Sequence, residues 1–194
     1  MANLMTSRFA QQRYTIRRPF LTLFGRKFHV YGADGQQVLF VKHKIFSLKD
    51  EWSMFSDDSE KTALLRVKAR TLMGMNIVTD VVDAATDEKV GAVRNQGLKS
   101  LFKDTWEILD DADQPKGKFS EDSNALLRRF LPFLLGHWKL EVGGVVVAKL
   151  DQNFKLFTKE FTLDLSMAAG RVDTRLVLAL SMLALMREIA REAR

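Results

Sequence analysis

Val172 to Arg194 reads VDTRLVLALSMLALMREIAREAR, and the placement of this stretch decides the fold of the 194-residue chain. From Leu176 to Met186 every residue except Ser181 is apolar. Leu, Ala and Met are strong helix formers and Asp173 is a good N-cap. Arg187, Arg191 and Arg194 fall near the C-terminal end, where positive charge suits the helix dipole. A helix over about 173–192 is therefore expected. It is hydrophobic all round rather than along one stripe, so it is either enclosed on every side or lies in a membrane. Length separates the two, because a span needs about 20 apolar residues whereas a run of about 10–14 suits a core helix. Enclosure is the expectation, and the rest of the chain must supply the wall.

Three stretches share one grammar that could build it. KFHVYGADGQQVLFVKHKIFSLKDEWSMF (27–55) alternates from Phe28 into an Asp34-Gly35 turn and continues through Val38–Val41 to a Lys-Asp-x-Trp sequence. DVVDAATDEKVGAVRNQGLKSLFKDTWEIL (80–109) repeats the order with its turn at Thr86–Lys89. HWKLEVGGVVVAKLDQNFKLFTKEFTLDL (137–165) turns at Gly143-Gly144 and carries Phe161 where the others carry tryptophan. Trp52, Trp106 and Phe161 are spaced by 54 and 55 residues, a period that signals internal duplication. Alternation of apolar and polar residues, as in WKLEV and FTLDL, makes strands with one buried and one wet face. Several antiparallel strands per unit, three units and short turns imply a barrel or sandwich, and a barrel leaves no exposed strand edge. The reading is a single domain over 1–194: a closed β-barrel with the helix through its middle.

Two stretches are less regular. In NALLRRFLPFLLGHW (124–138) Pro132 discourages a continuous helix, and the segment is similar to the RRPFLTLFGRKFHVY that opens the first unit, so both read as entries to strand sets. DDADQPKGKFSEDS (110–123) is polar and reads as an exposed loop between units.

Composition narrows the function classes. Hydrophobic residues at 46% and charged residues at 28% are ordinary for a globular protein. With no cysteine, disulfide frameworks, thiolate catalysis, cysteine zinc sites and S-palmitoylation are excluded. The net charge of +6 equals what residues 1–33 contribute through Arg8, Arg13, Arg17, Arg18, Arg26 and Lys27, with no acid before Asp34. MANLMTSRFAQQR has no apolar core of a secretory signal, so a cytoplasmic location, peripheral to a membrane at most, is expected.

Three units carrying Lys49-Asp50-Trp52, Lys103-Asp104-Trp106 and Phe161, followed by a nearly all-apolar C-terminal helix, resemble the LURP-one-related family from about Tyr14 to Glu192. The resemblance implies the tubby-like fold shared with phospholipid scramblases, in which twelve antiparallel strands surround a central C-terminal helix. Scramblases place an EF-hand-like calcium segment before that helix, closing on an aspartate that matches Asp164. Here the first, third and fifth positions of such a segment are Asn153, Lys155 and Phe157, and lysine and phenylalanine supply no oxygen for calcium. Tubby proteins hold phosphoinositide headgroups through basic side chains, an idea that carries over without a residue-by-residue match.

The remaining candidates read as structure. Tryptophan at equivalent places in duplicated units is a core anchor, with the aspartate holding a turn. His29, His43 and His137 read as a turn-proximal, a mid-strand and a strand-entry residue, with no metal-ligand spacing between them. Asp110–Asp113 lacks a calcium loop, since Pro115 and Lys116 stand where an oxygen ligand and a glycine are needed. No nucleotide-binding or nucleophile-elbow motif occurs, and neither an enzyme nor a cofactor is expected. The lead left is basic: Arg17, Arg18, Arg26, Lys27, Lys42 and Lys44, of which alternation puts Lys42 and Lys44 on one strand face. Nucleic acid is not the expected partner, because the aromatic residues read as core residues rather than stacking platforms. The expectation is a non-enzymatic module that binds an anionic phospholipid headgroup or another phosphorylated ligand electrostatically. The alternatives are a protein-interaction scaffold and a scramblase-like lipid-perturbing protein without calcium control.

Overall fold

The computed structural model describes residues 7–19, 26–43, 51–70, 77–95, 105–122 and 135–192. Among them twelve strands close into one antiparallel barrel. They are β1 (Arg13–Pro19), β2 (Arg26–Gly32), β3 (Gln37–His43), β4 (Glu51–Phe55), β5 (Ala63–Ala69) and β6 (Val78–Asp83), followed by β7 (Lys89–Asn95), β8 (Thr105–Leu109), β9 (Pro115–Glu121), β10 (His137–Val142), β11 (Val145–Asn153) and β12 (Thr158–Asp164). Every strand pairs with its neighbours in the chain, and β1 closes the ring on β12, from Arg13 opposite Asp164 to Pro19 opposite Thr158. The expected closed barrel is what forms.

Period-two alternation builds its lining. Tyr14 and Ile16 of β1, Phe28 and Val30 of β2, and Leu39 and Val41 of β3 are all buried in the common core. The central helix, Thr174–Glu192, completes that core, with Leu176 to Met182 buried without interruption. Ser181, the polar break in the apolar run, is satisfied within the helix, its hydroxyl donating to the Val177 carbonyl at 2.8 Å. Asp173 caps the N-terminus as expected: its Oδ1 accepts from the Arg175 N–H at 2.8 Å. Arg175 also reaches Asp83 at the end of β6, at 2.7 Å, which ties the helix entry to the wall.

The duplication maps onto the ring. Trp52, Trp106 and Phe161 stand in β4, β8 and β12, every fourth strand. Trp106 and Phe161 are buried, and Trp52 packs half-buried against the same core. They are architecture, as their spacing suggests; the Lys-Asp pairs before the tryptophans lie outside the described residues, as does most of NALLRRFLPFLLGHW.

One expectation is corrected. DDADQPKGKFSEDS contains a tight turn at 110–114 and then a complete strand, β9, in which Phe119, Ser120 and Glu121 are buried. Proline is tolerated as the first residue of a strand, and Gly117 is there because a Cβ would meet the Glu141 carbonyl of β10 at 2.5 Å. Lysines on the wet face disguise the strand as a loop.

Strand direction gives the barrel two poles. The helix enters at the pole where β12 ends, which also holds the connections 33–36, 56–62, 84–88, 110–114 and 143–144. It runs toward the opposite, exit pole, where Arg187 lies over the Trp106 ring at 5.5 Å from its centroid. At the entry pole Asp164 accepts from the Ser166 N–H and from Arg13, each at 2.9 Å. The Ser166 hydrogen bonds first, then Arg13, outweigh partial burial and hold its pKa at about 2 against an ordinary 3.8. A depressed carboxylate pKa stabilises above the unfolded value and loses that contribution as pH falls through the folded one. Asp164→Asn is thus expected to lower stability by about 1 kcal/mol at pH 6, discounted for exposure, and to flatten the decline between pH 4 and pH 2. Urea midpoints of both proteins across that range check it; parallel acid limbs would reject it.

Candidate anionic-ligand surface

The basic residues of the first unit are distributed by the alternation of β1–β3. Arg17 points outward from β1, opposite His29 of β2, which in turn faces Phe40 of β3. One step toward the exit pole, Lys27 stands directly opposite Lys42. These outward residues form one patch, and the patch is not purely positive.

Arg17 donates through Nε to Glu160 Oε2 at 2.8 Å and stacks its guanidinium 5.1 Å from the centre of the Tyr31 ring. Burial pushes the Glu160 carboxyl up, but hydrogen bonds from Arg17 and Asn153 and the charge of Lys155 hold it below its ordinary value. The connection 56–62 folds over β2 and β3 and brings further acids. Asp58 meets the His29 ring at 2.9 Å and accepts from Gln37, and Lys42 donates to Glu60 at 2.8 Å. These pairs are part-exposed, so each is worth only a fraction of a kcal/mol up to about 1 kcal/mol.

Arg18 leaves this surface. As the next residue after Arg17 it faces the barrel mouth at the exit pole, half-buried, opposite Lys159 of β12. Arg26 begins β2 opposite His43, but its side chain, like all of Lys44, lies outside the described residues. The structure therefore gathers Arg17, Lys27 and Lys42 and sets Arg18 around the rim from them.

Sequence reasoning missed a second feature at the same pole. Phe154, Leu156 and Phe157, in the connection between β11 and β12, are 71%, 74% and 82% exposed. Phe154 and Phe157 correct the expectation that the aromatic residues belong to the core. The signal was in NFKLFTK, where a hairpin connection that would ordinarily be polar has neither glycine nor proline and three large apolar residues instead.

The other candidates serve the structure. His29 is in mid-strand and His43 ends β3, the reverse of their expected positions, while His137 opens β10 as expected and meets Asp151 at 2.8 Å. Asp110 accepts from the N–H groups of Ala112 and Gln114, and Asp113 is bound by Arg70 and Lys89, both at 2.6 Å. Hydrogen bonds from those two cations pull the Asp113 pKa down to about 2. Among the described residues no group of three or more His, Asp or Glu side chains is disposed to hold a metal ion, and no helix is long and apolar enough to cross a membrane.

The chain belongs to the LURP-one-related family, whose model matches residues 37–184, from the start of β3 into the central helix. No curated protein matches the sequence. A protein from Arabidopsis thaliana of known X-ray structure is similar at 14% identity, over 93% of this chain and 94% of that one, with a TM-score of 0.49.

Proposed function

We propose that this LURP-one-related barrel is a non-enzymatic module that binds anionic phospholipid headgroups through basic residues of its first four-strand unit. The observation that carries the reading is the polarity of the barrel. The entry-pole connections SDDSEKT (56–62), AATDE (84–88) and DDADQ (110–114) hold one base, Lys61, among many acids. Toward the exit pole lie Arg18, Lys27, Lys42, Lys155 and Lys159, with Arg17 one step further in. An excess of bases toward one end orients the barrel in the field of an anionic surface even with Asp58, Glu60 and Glu160 paired to His29, Lys42 and Arg17 within the patch, and each cation near that surface contributes about 1 kcal/mol. Capture of this kind leaves the central helix enclosed.

Sedimentation with vesicles of neutral or anionic phospholipid, at low and physiological salt, tests it. Anionic vesicles are expected to carry the protein down, with binding falling steeply as salt rises. Replacing Arg17, Arg18, Arg26 and Lys27 together by alanine is expected to weaken that binding by at least about tenfold. Binding that ignores salt, or none at either salt, rejects the reading; in the second case a partner retained in a high-salt pull-down would make the barrel a protein scaffold.

A further inference from the structure

We propose that the connection between β11 and β12 is a membrane-insertion tip: Phe154, Leu156 and Phe157 enter the headgroup–acyl boundary of an anionic bilayer while the surrounding cations hold the headgroups. This deepens the lipid-binding reading and rests on it. Among the described residues these three are the most exposed large apolar side chains, and they are neighbours. Scattered exposed apolar residues need no explanation, but a contiguous cluster marks an interaction site.

The base of the connection is held firmly. Asn153 donates to both Glu160 Oε1, at 3.2 Å, and Thr162 Oγ1, at 3.0 Å, and Glu160 is in turn bound by Arg17. The amide Nδ2 of Asn153 thus bridges β11 to β12 just behind the tip, so the apolar side chains project from an anchored hairpin rather than a loose strand end. All three side chains are more than two-thirds exposed on a short connection. A protein partner would need a surface shaped to them, whereas a bilayer takes exposed apolar side chains wherever they land.

Charge selects which bilayer. Lys155 lies within the tip itself, 52% exposed in its side chain, and its Nζ is 3.8 Å from Glu160. Lys159 and Arg18 face each other across the β12–β1 pair just behind it, and Arg17 stands beside them on the outer face. Apolar residues interleaved with lysine and arginine are the composition of an interfacial anchor, in which buried apolar area and attraction to anionic lipid add.

An indole introduced by Phe157→Trp reports insertion as the difference in emission from the parent protein, whose three tryptophans are common to both. On mixing with vesicles of phosphatidylcholine and phosphatidylserine, its emission is expected to shift to the blue and to be quenched by lipids brominated near the top of the acyl chains. The variant with Phe154, Leu156 and Phe157 all changed to serine, which alters no core residue, is expected to bind these vesicles at least about tenfold more weakly with an unchanged far-UV spectrum. If vesicles sediment the protein but the indole emission neither shifts nor is quenched, and the serine variant binds as tightly as the parent, insertion is overturned and electrostatic capture stands. If no vesicle binds the parent protein, both are overturned together.

Discussion

Leu180→Asp is expected to abolish cooperative folding. Leu180 is completely buried at the middle of the central helix, between Ala179 and Ser181, which are equally buried. A carboxylate there has wall on every side, no solvent to turn toward and no cation among the apolar residues of the core cluster. Burying an unpaired charge costs several kcal/mol even after relaxation, against a total stability of about 5–15 kcal/mol for a domain. The helix is also the filling of the barrel, so it cannot withdraw without leaving a cavity along the axis. Leu180→Ala, which only opens a void, is expected to cost about 2–5 kcal/mol. Leu183, half-buried on the same helix, is expected to cost less when truncated. Near-UV dichroism, which reports the buried Trp106 and Trp138, together with urea unfolding separates these outcomes. A native near-UV spectrum and cooperative unfolding in Leu180→Asp would mean that the helix is open to water on that face, and the enclosed-helix architecture would be wrong.

The second large effect is expected at a residue with no side chain. Gly91 lies in β7 where the helix passes closest: an added Cβ would meet the Leu109 carbonyl oxygen of β8 at 2.7 Å and Leu176 Cδ2 of the helix at 2.9 Å. The leucine tip can rotate away, but the carbonyl belongs to the strand ladder and cannot move without loosening the β7–β8 pair. Gly91→Ala is expected to cost about 1–3 kcal/mol by overpacking, and Gly91→Val more, since its two methyl groups add volume at the same close contact. Combining Gly91→Ala with Leu176→Ala removes the leucine contact and leaves the carbonyl clash. A double-mutant cycle should therefore recover only part of the loss. Full recovery would show that the helix alone sets the constraint; a neutral Gly91→Ala would show that the strand and helix are not in close contact at this level.

Much of this was legible from residue order. The all-round apolarity of Leu176–Met186 required a surrounding wall, and the 54- and 55-residue spacing of Trp52, Trp106 and Phe161 required a threefold one. Both are properties of periodicity, which a one-dimensional pattern carries in full. The strand β9 was not legible, because Lys116 and Lys118 face water and Gly117 answers to a carbonyl on β10, a neighbour in space. Its alternation is real but is written with residues common in loops.

The candidate surface divides in the same way. That bases dominate the first thirty-three residues is a matter of counting, and so is the acidity of SDDSEKT and DDADQ. Which base meets which acid is not. Glu160 reaches Arg17 only because β1 closes on β12, and Glu60 reaches Lys42 only because its connection folds back over the sheet. Period-two alternation separates Arg17 from Arg18, yet only ring closure says that Arg18 faces Lys159 at the mouth.

By itself, then, the order of residues determined an enclosed helix, a threefold wall and an excess of positive charge near the start of the chain, because each is a local or periodic property of the chain. The tertiary structure alone decided that the tip Phe154–Phe157 stands beside Arg17 and Arg18. Those juxtapositions arise from closing β12 onto β1, which brings together residues as far apart in the chain as Arg13 and Asp164, a contact that no local pattern encodes.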